Sequence, residues 1–166
     1  MEKKYELTEE TVEVEEITLH RIRALRDIER YGVKKGDLGG FIEKEDNLSH
    51  GGNAWVYGNA WVYGDAKVSS NAWVYGDAKV YDNAWVYGDA KVYDNAKVMW
   101  LSKIGSRLGT TTAFRRKDGE IGIKCGCFSG TLDDFAAKVE ETHGDNKYGR
   151  EYKAAIELIK IHFEEE

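Results

Sequence analysis

A six-residue rhythm of apolar and polar positions runs through the middle of the chain. From Asn53 the sequence reads NAWVYG, NAWVYG, DAKVSS, NAWVYG, DAKVYD, NAWVYG, DAKVYD, NAKVMW, LSKIGS, nine hexads in 54 residues. Val recurs at 56, 62, 68, 74, 80, 86, 92 and 98, with Ile104 in the same column. Ala or Ser stands two places before each. Side chains two apart share one face of a strand, so Ala and Val point together and Trp/Lys with Tyr point the opposite way. Six residues are too few for a helical repeat. They suit a short strand and a corner, with Gly, Asn or Asp where the backbone turns.

The flanks follow other periods. Val12/Val14 and Ile17/Leu19 alternate around Glu15 and Glu16, which predicts a hairpin, and Gly32, Gly36, Gly39 and Gly40 mark a turn-rich stretch after it. Near the C-terminus, TTTAFRRKDGEIGIKCGCF predicts two strands about the Asp118-Gly119 turn. Thr131 and Asp134 form a capping-box pattern ahead of Leu132, Phe135, Ala136 and Val139, and Gly144 ends that helix. Tyr152, Ile156, Ile159 and Phe163 lie on one stripe of a second helix. Three segments follow: 1–52, an N-terminal β segment and cap; 53–106, the hexads; and 107–166, a small α+β unit of a hairpin and two helices.

A small residue two before an aliphatic one, every six residues, resembles the hexapeptide-repeat left-handed β-helix. The resemblance implies that three hexads close one coil around the aliphatic column. The expected fold is therefore mainly β: a short left-handed parallel β-helix of about three to four coils, capped at both ends by the flanks. Residues 38–52 (LGGFIEKEDNLSHGG) offer a degenerate first coil through Phe41, Ile42 and Leu48. More widely, KKGDLGGFIEKEDNLSHGGNAWVYGNAWVYGDAKV, SKIGSRLGTTTAF and CGCFSGTLDDF resemble uncharacterised hexapeptide-repeat proteins of bacteriophages and prophages. That resemblance implies a phage origin and a host-cytoplasm location, and no activity, since fold alone does not supply one.

With three hexads per coil, Trp55, Trp73 and Lys91 line one outer column beside Tyr57, Tyr75 and Tyr93. Trp61 and Lys79 line a second beside Tyr63 and Tyr81, and Lys67 and Trp85 a third beside Ser69 and Tyr87. The ten rings Trp55, Tyr57, Trp61, Tyr63, Trp73, Tyr75, Tyr81, Trp85, Tyr87 and Tyr93 are thus expected to face outward as a binding surface. Exposed Trp and Tyr are common interface anchors. The competing reading is that the rings only stabilise neighbouring strands, with the interleaved lysines limiting stickiness. A homo-oligomer, a host or phage protein, or a small-molecule ligand are the expected partners.

Charge and chemistry narrow the choice. The formal net charge is −6, with the hexads neutral and both flanks acidic, which disfavours a nucleic-acid partner. No apolar run reaches the length of a membrane span, and the charged start MEKKYELTEE does not resemble a signal peptide, so no membrane partner and a cytoplasmic location are expected. Hexapeptide-repeat acyltransferases use a histidine base and a coenzyme A groove. Here His50, in NLSHGG, is the one candidate catalytic residue of that alternative, but no loop interrupts the hexads and no basic cluster awaits a phosphoadenosine group. Cys125 and Cys127 are expected on one strand face as small core residues, and without a second Cys pair they make no closed zinc site. The reading is therefore a non-catalytic assembly or binding protein with no cofactor and no metal.

Overall fold

The computed structural model describes residues 1–165, with the side chain of Ala96, one member of the small-residue column, outside the described residues. The chain is mainly β with two C-terminal helices. β1 (Tyr5–Val14) and β2 (Ile17–Ala24) form an antiparallel hairpin about Glu15, and β3 (Leu38–Ile42) pairs antiparallel with β2. Seven two-residue strands follow: β4 (Trp55–Val56), β5 (Trp61–Val62), β6 (Lys67–Val68), β7 (Trp73–Val74), β8 (Lys79–Val80), β9 (Trp85–Val86) and β10 (Lys91–Val92). Longer strands then return: β11 (Val98–Ile104), β12 (Gly109–Arg115), β13 (Ile121–Cys125) and β14 (Phe128–Thr131). Two helices close the chain, α1 (Leu132–His143) and α2 (Lys147–His162).

The regular left-handed β-helix of three to four coils expected for residues 53–106 does not form. Its strands are only two residues long and are divided among separate small sheets. β5 and β8 extend the N-terminal sheet in the order β1-β2-β3-β5-β8, β10-β7-β4 form a second sheet, and β6-β9 a third. The sixth position of the hexad explains the fragmentation. Gly58, Gly64, Ser70, Gly76, Asp82 and Gly88 all have φ between 55° and 70°, the left-handed region, and each turns the backbone two residues beyond the end of its strand. The last two hexads leave the pattern altogether. Residues 95–97 turn as a 3-10 helix, and Val98–Ile104 continues as one seven-residue strand antiparallel to β12. Here MWLSKI replaces the ring-and-glycine ending, so nothing forces a corner after Val98. The expected C-terminal hairpin is correspondingly a four-stranded antiparallel sheet, β11-β12-β13-β14.

Between the corners, pairing is parallel and eighteen residues apart. Trp55 pairs with Trp73 and Trp73 with Lys91; Trp61 pairs with Lys79, and Lys67 with Trp85. Each rung carries two backbone bonds, such as Trp61 N to Ala78 O (2.9 Å) and Tyr63 N to Val80 O (3.0 Å). Phe41 and Ile42 of β3 pair with Trp61 and Val62, and Leu48 bridges Val68, so residues 38–48 lie against the first ladder rungs. Ala and Val from Ala54 to Val92 are all at most 1% exposed. Burying a valine this completely contributes about 1.5–3 kcal/mol, so the aliphatic column is the main source of cohesion here.

The C-terminal sheet separates two cores. Along β12, Phe114 joins the repeat's aliphatic column whereas Ala113 joins Ile123, Phe135, Val139, Ile156 and Ile159 beneath the helices. Alternation along one strand sends successive side chains to opposite faces. Thr112 also belongs to the junction: its Oγ1 accepts from the Trp85 backbone N–H (3.0 Å), supplying an acceptor where the hexads end.

Candidate functional site

The strands set the expected rings in columns, but the flanks decide which stay open. Trp55 is fully buried, contrary to its expected outward place. The N-terminal segment lies over it: the Tyr5 ring meets it edge-on at 6.5 Å, and Tyr5 itself is buried, its hydroxyl donating to Leu48 O (2.7 Å) and Glu45 O (3.0 Å). Trp73, in the next rung, is sandwiched between Tyr31 (4.8 Å) and Tyr75 (4.4 Å). The Tyr31 hydroxyl donates to Asn71 O. Burial pushes the Tyr31 phenol above its ordinary pKa despite the adjacent Arg30.

On the same side Tyr57, Tyr75 and Tyr93 form the outer column, with Tyr75 and Tyr93 5.6 Å apart. Tyr57 and Tyr93 are exposed. On the second side Tyr63 stacks on Tyr81 at 5.2 Å, and Trp100 meets Tyr81 edge-on at 4.9 Å. Burial, and then the neighbouring Tyr81, push the Tyr63 phenol upward. Tyr81, Trp100, Lys79, Asp82 and Asn95 line an open cleft of about 430 Å³ there. On the third side Trp85 and Tyr87 are both 37% exposed, with ring centroids 6.3 Å apart and planes at 82°.

Lysines lie against most of these rings. Lys79 Nζ stands 4.4 Å from the Trp61 ring, Lys91 Nζ is 5.9 Å from Trp73, and Lys97 Nζ is 5.3 Å from Tyr93. From the C-terminal sheet, Lys124 Nζ reaches the Trp85 ring (4.6 Å) and the Tyr87 ring (5.3 Å), while Lys67 approaches Trp85 at 6.0 Å. Such contacts are worth roughly 0.5–1 kcal/mol at exposed sites. The open rings are therefore distributed over three sides and partly covered, instead of forming one continuous patch. Trp85 with Tyr87 is the pair that combines adjacency, exposure and flanking positive charge. Sequence spacing places Trp85 and Tyr87 on one column, but Lys124 comes from a strand 39 residues further on, and no local signal announces it.

His50 holds the cap. Its Nδ1 accepts from the Lys4 backbone N–H (3.1 Å), its ring stacks on Tyr5 at 4.3 Å, and Nε2 faces Glu45 Oε2 at 3.6 Å. Accepting at Nδ1 puts the proton of the neutral ring on Nε2. The lone pair that a base needs is thus occupied by backbone. Beside it Lys4 is fully buried, with Nζ donating to Ala54 O (2.6 Å). Burial, reinforced by Arg26, holds this amine down at about 7.

The two cysteines separate. Cys125 ends β13 and accepts from Thr111 Oγ1 (3.2 Å), whereas Cys127 is exposed in the tight turn that follows. Gly126, at φ 56°, turns the chain between them, so the shared strand face expected for them does not exist. Among the described residues no cluster of three or more His, Cys, Asp or Glu is placed to hold a metal ion. Likewise, among the described residues no helix is long and apolar enough to cross a membrane. The chain matches no protein-family model and no curated protein.

Proposed function

We propose that the protein is a non-catalytic assembly or binding protein that works through the rings left open on the hexad columns. The observation that carries this reading is the Trp85–Tyr87 pair, two large rings each 37% exposed, set edge to face and flanked by Lys124 and Lys67. Rings held rigid by a buried valine beneath them lose little side-chain freedom on contact, which favours them as anchors. The adjacent ammonium groups suit a partner surface carrying carboxylates. A second copy of this chain is one such surface, since the protein has 30 Asp and Glu against 24 Lys and Arg.

A host or phage protein is the other. The resemblance to bacteriophage and prophage proteins fits an accessory role in the host cytoplasm, in which the protein binds or sequesters a host defence factor or a signalling molecule. The acyltransferase alternative has less support, because His50 spends its acceptor nitrogen on the Lys4 amide and its ring face on Tyr5.

The test compares wild type with Trp85→Ala/Tyr87→Ala by sedimentation velocity over a concentration series, alongside capture from infected-cell lysate. The double variant is expected to lose self-association, partner capture or both, with its thermal unfolding little changed. Retention of both properties by the variant, or their absence from wild type, overturns the proposal.

A further inference from the structure

A further cleft lies in the C-terminal sheet-and-helix unit, beginning at Ser106, the last residue of the hexads. It encloses about 400 Å³ between the turn holding Ser106, Arg107 and Gly109, the turn at residues 126–127, and α1 from Phe135 to His143. Its floor is apolar: Phe128 and Phe135 pack at 5.3 Å, and Tyr152 meets Phe135 edge-on at 5.5 Å, with Val139 beside them. Tyr152 is fixed in place. Its hydroxyl stands 3.8 Å from Cys125 Sγ and packs where a side chain on Gly105 would lie, while its other neighbour His143 stacks at 5.7 Å. Leu108, 68% exposed and at φ 50°, stands on the turn beside the mouth.

The charges around this cleft are one-sided. Arg107 and Lys138 line it, and among the described residues no Asp or Glu does, although the chain as a whole is acidic. Two neighbouring carboxylates are engaged: Glu151 accepts from the Gly105 N–H, and Glu140 pairs with Lys153 at 2.8 Å. Glu141 touches Lys138 at 3.6 Å, but both side chains are more than half exposed, so that pair holds weakly. Arg107 has no hydrogen bond or ion pair among the described residues. An apolar pocket of several hundred Å³ with a few convergent polar groups is the usual form of a small-molecule site.

We propose that this cleft binds a small amphipathic carboxylate, its alkyl or aryl tail on Phe128, Phe135 and Tyr152 and its carboxylate between Arg107 and Lys138. The cation pair at the rim argues against a neutral apolar ligand, and the apolar floor against a bare inorganic anion. The site is independent of the hexad columns, so Trp85→Ala/Tyr87→Ala leaves it intact.

Decanoate is the probe, with decanol as the uncharged control. Calorimetry should show saturable decanoate binding, and Arg107→Glu/Lys138→Glu should weaken it about tenfold or more while changing decanol binding less than about twofold. These positions are on the surface, and unfolding curves check that the variant is folded. Location is read separately: decanoate should slow maleimide labelling of Cys127 at the mouth, followed by peptide mass. No saturable binding, equal affinity in the charge-reversed variant, or unprotected Cys127 overturns the proposal. So does a finding that the cleft is covered by a second copy, seen as a dimer that Leu108→Glu dissociates and decanoate does not enter.

Discussion

The hexad ladders and the C-terminal sheet solve the same problem in opposite ways. Each must bury an apolar face using strands. The ladders do it with two-residue strands, each stopped by a left-handed corner, and repeat the solution through a register of eighteen residues. The C-terminal sheet uses strands of four to seven residues in antiparallel register, and covers one face with α1 and α2. The first buries one side chain type in one column. The second needs a different residue at nearly every position, because its two faces meet different neighbours: Phe114 one core and Ala113 the other. A repeated environment permits a repeated sequence, and the mixed environment of β12 does not.

The most disruptive way to break that comparison is at the wall between the cores. Phe114→Ala should cost about 3–5 kcal/mol, the range for deleting a buried aromatic ring. Because β12 faces both cores, tryptophan fluorescence, which reports on residues 55–100, and helical ellipticity, which reports on α1 and α2, should still fall together in urea. Two separated transitions would show that the ladders and the C-terminal unit fold independently.

A smaller effect sharpens the contrast between the ends of the ladders, where the N-terminal cap buries the Lys4 amine and, among the described residues, the C-terminal unit buries no lysine. Lys4 has its folded pKa near 7, below the ordinary lysine value of 10.5. Between those values the unfolded chain binds more protons than the folded one, so stability rises with pH. The expected slope is about half of 1.4 kcal/mol per pH unit at pH 7 and approaches about 1.4 between pH 8 and 9.5. Above pH 10 the raised Tyr5 and Tyr152 phenols oppose it, since their stabilisation is lost as the unfolded phenols ionise. Lys4→Met should flatten the slope and raise Tm at pH 7 by several degrees. An unchanged slope would mean that the amine does not titrate in the folded protein.

The smallest expected effect compares the surfaces. A double-mutant cycle on Lys79 and Trp61 should give a coupling of about 0.5–1 kcal/mol. The same cycle on the Glu157–Lys160 pair of α2, which is more than half exposed, should give about 0.3 kcal/mol. Equal couplings would mean that the lysines of the ladders are ordinary surface charges and do not help to fix the rings.

The local features were legible in the sequence. The N-terminal hairpin turns at Glu15, the Asp118-Gly119 turn joins β12 to β13, and Thr131 caps α1 through Oγ1 to the Asp134 N–H at 3.1 Å, with Gly144 at its end. These features depend on contacts within a few residues. The regular solenoid inferred from the period failed on a feature that the letters do show, the sixth column that turns the backbone, and on the change of composition after Val98. Sequence spacing assigned the columns of rings but not their exposure. Trp55 and Trp73 occupy the same hexad position as Trp85, yet Tyr5 covers the first and Tyr31 the second.

Sequence by itself determined the six-residue period, the Ala and Val that face inward, the corners and the two helices, the first with its caps, because each follows from side-chain direction or backbone preference over a handful of neighbours. Only the tertiary structure decided how the short strands divide among sheets, which rings remain open, and where Arg107 and Lys138 meet an apolar floor. Those outcomes depend on segments tens of residues apart arriving at the same surface, and no local period encodes which segment comes to cover which face.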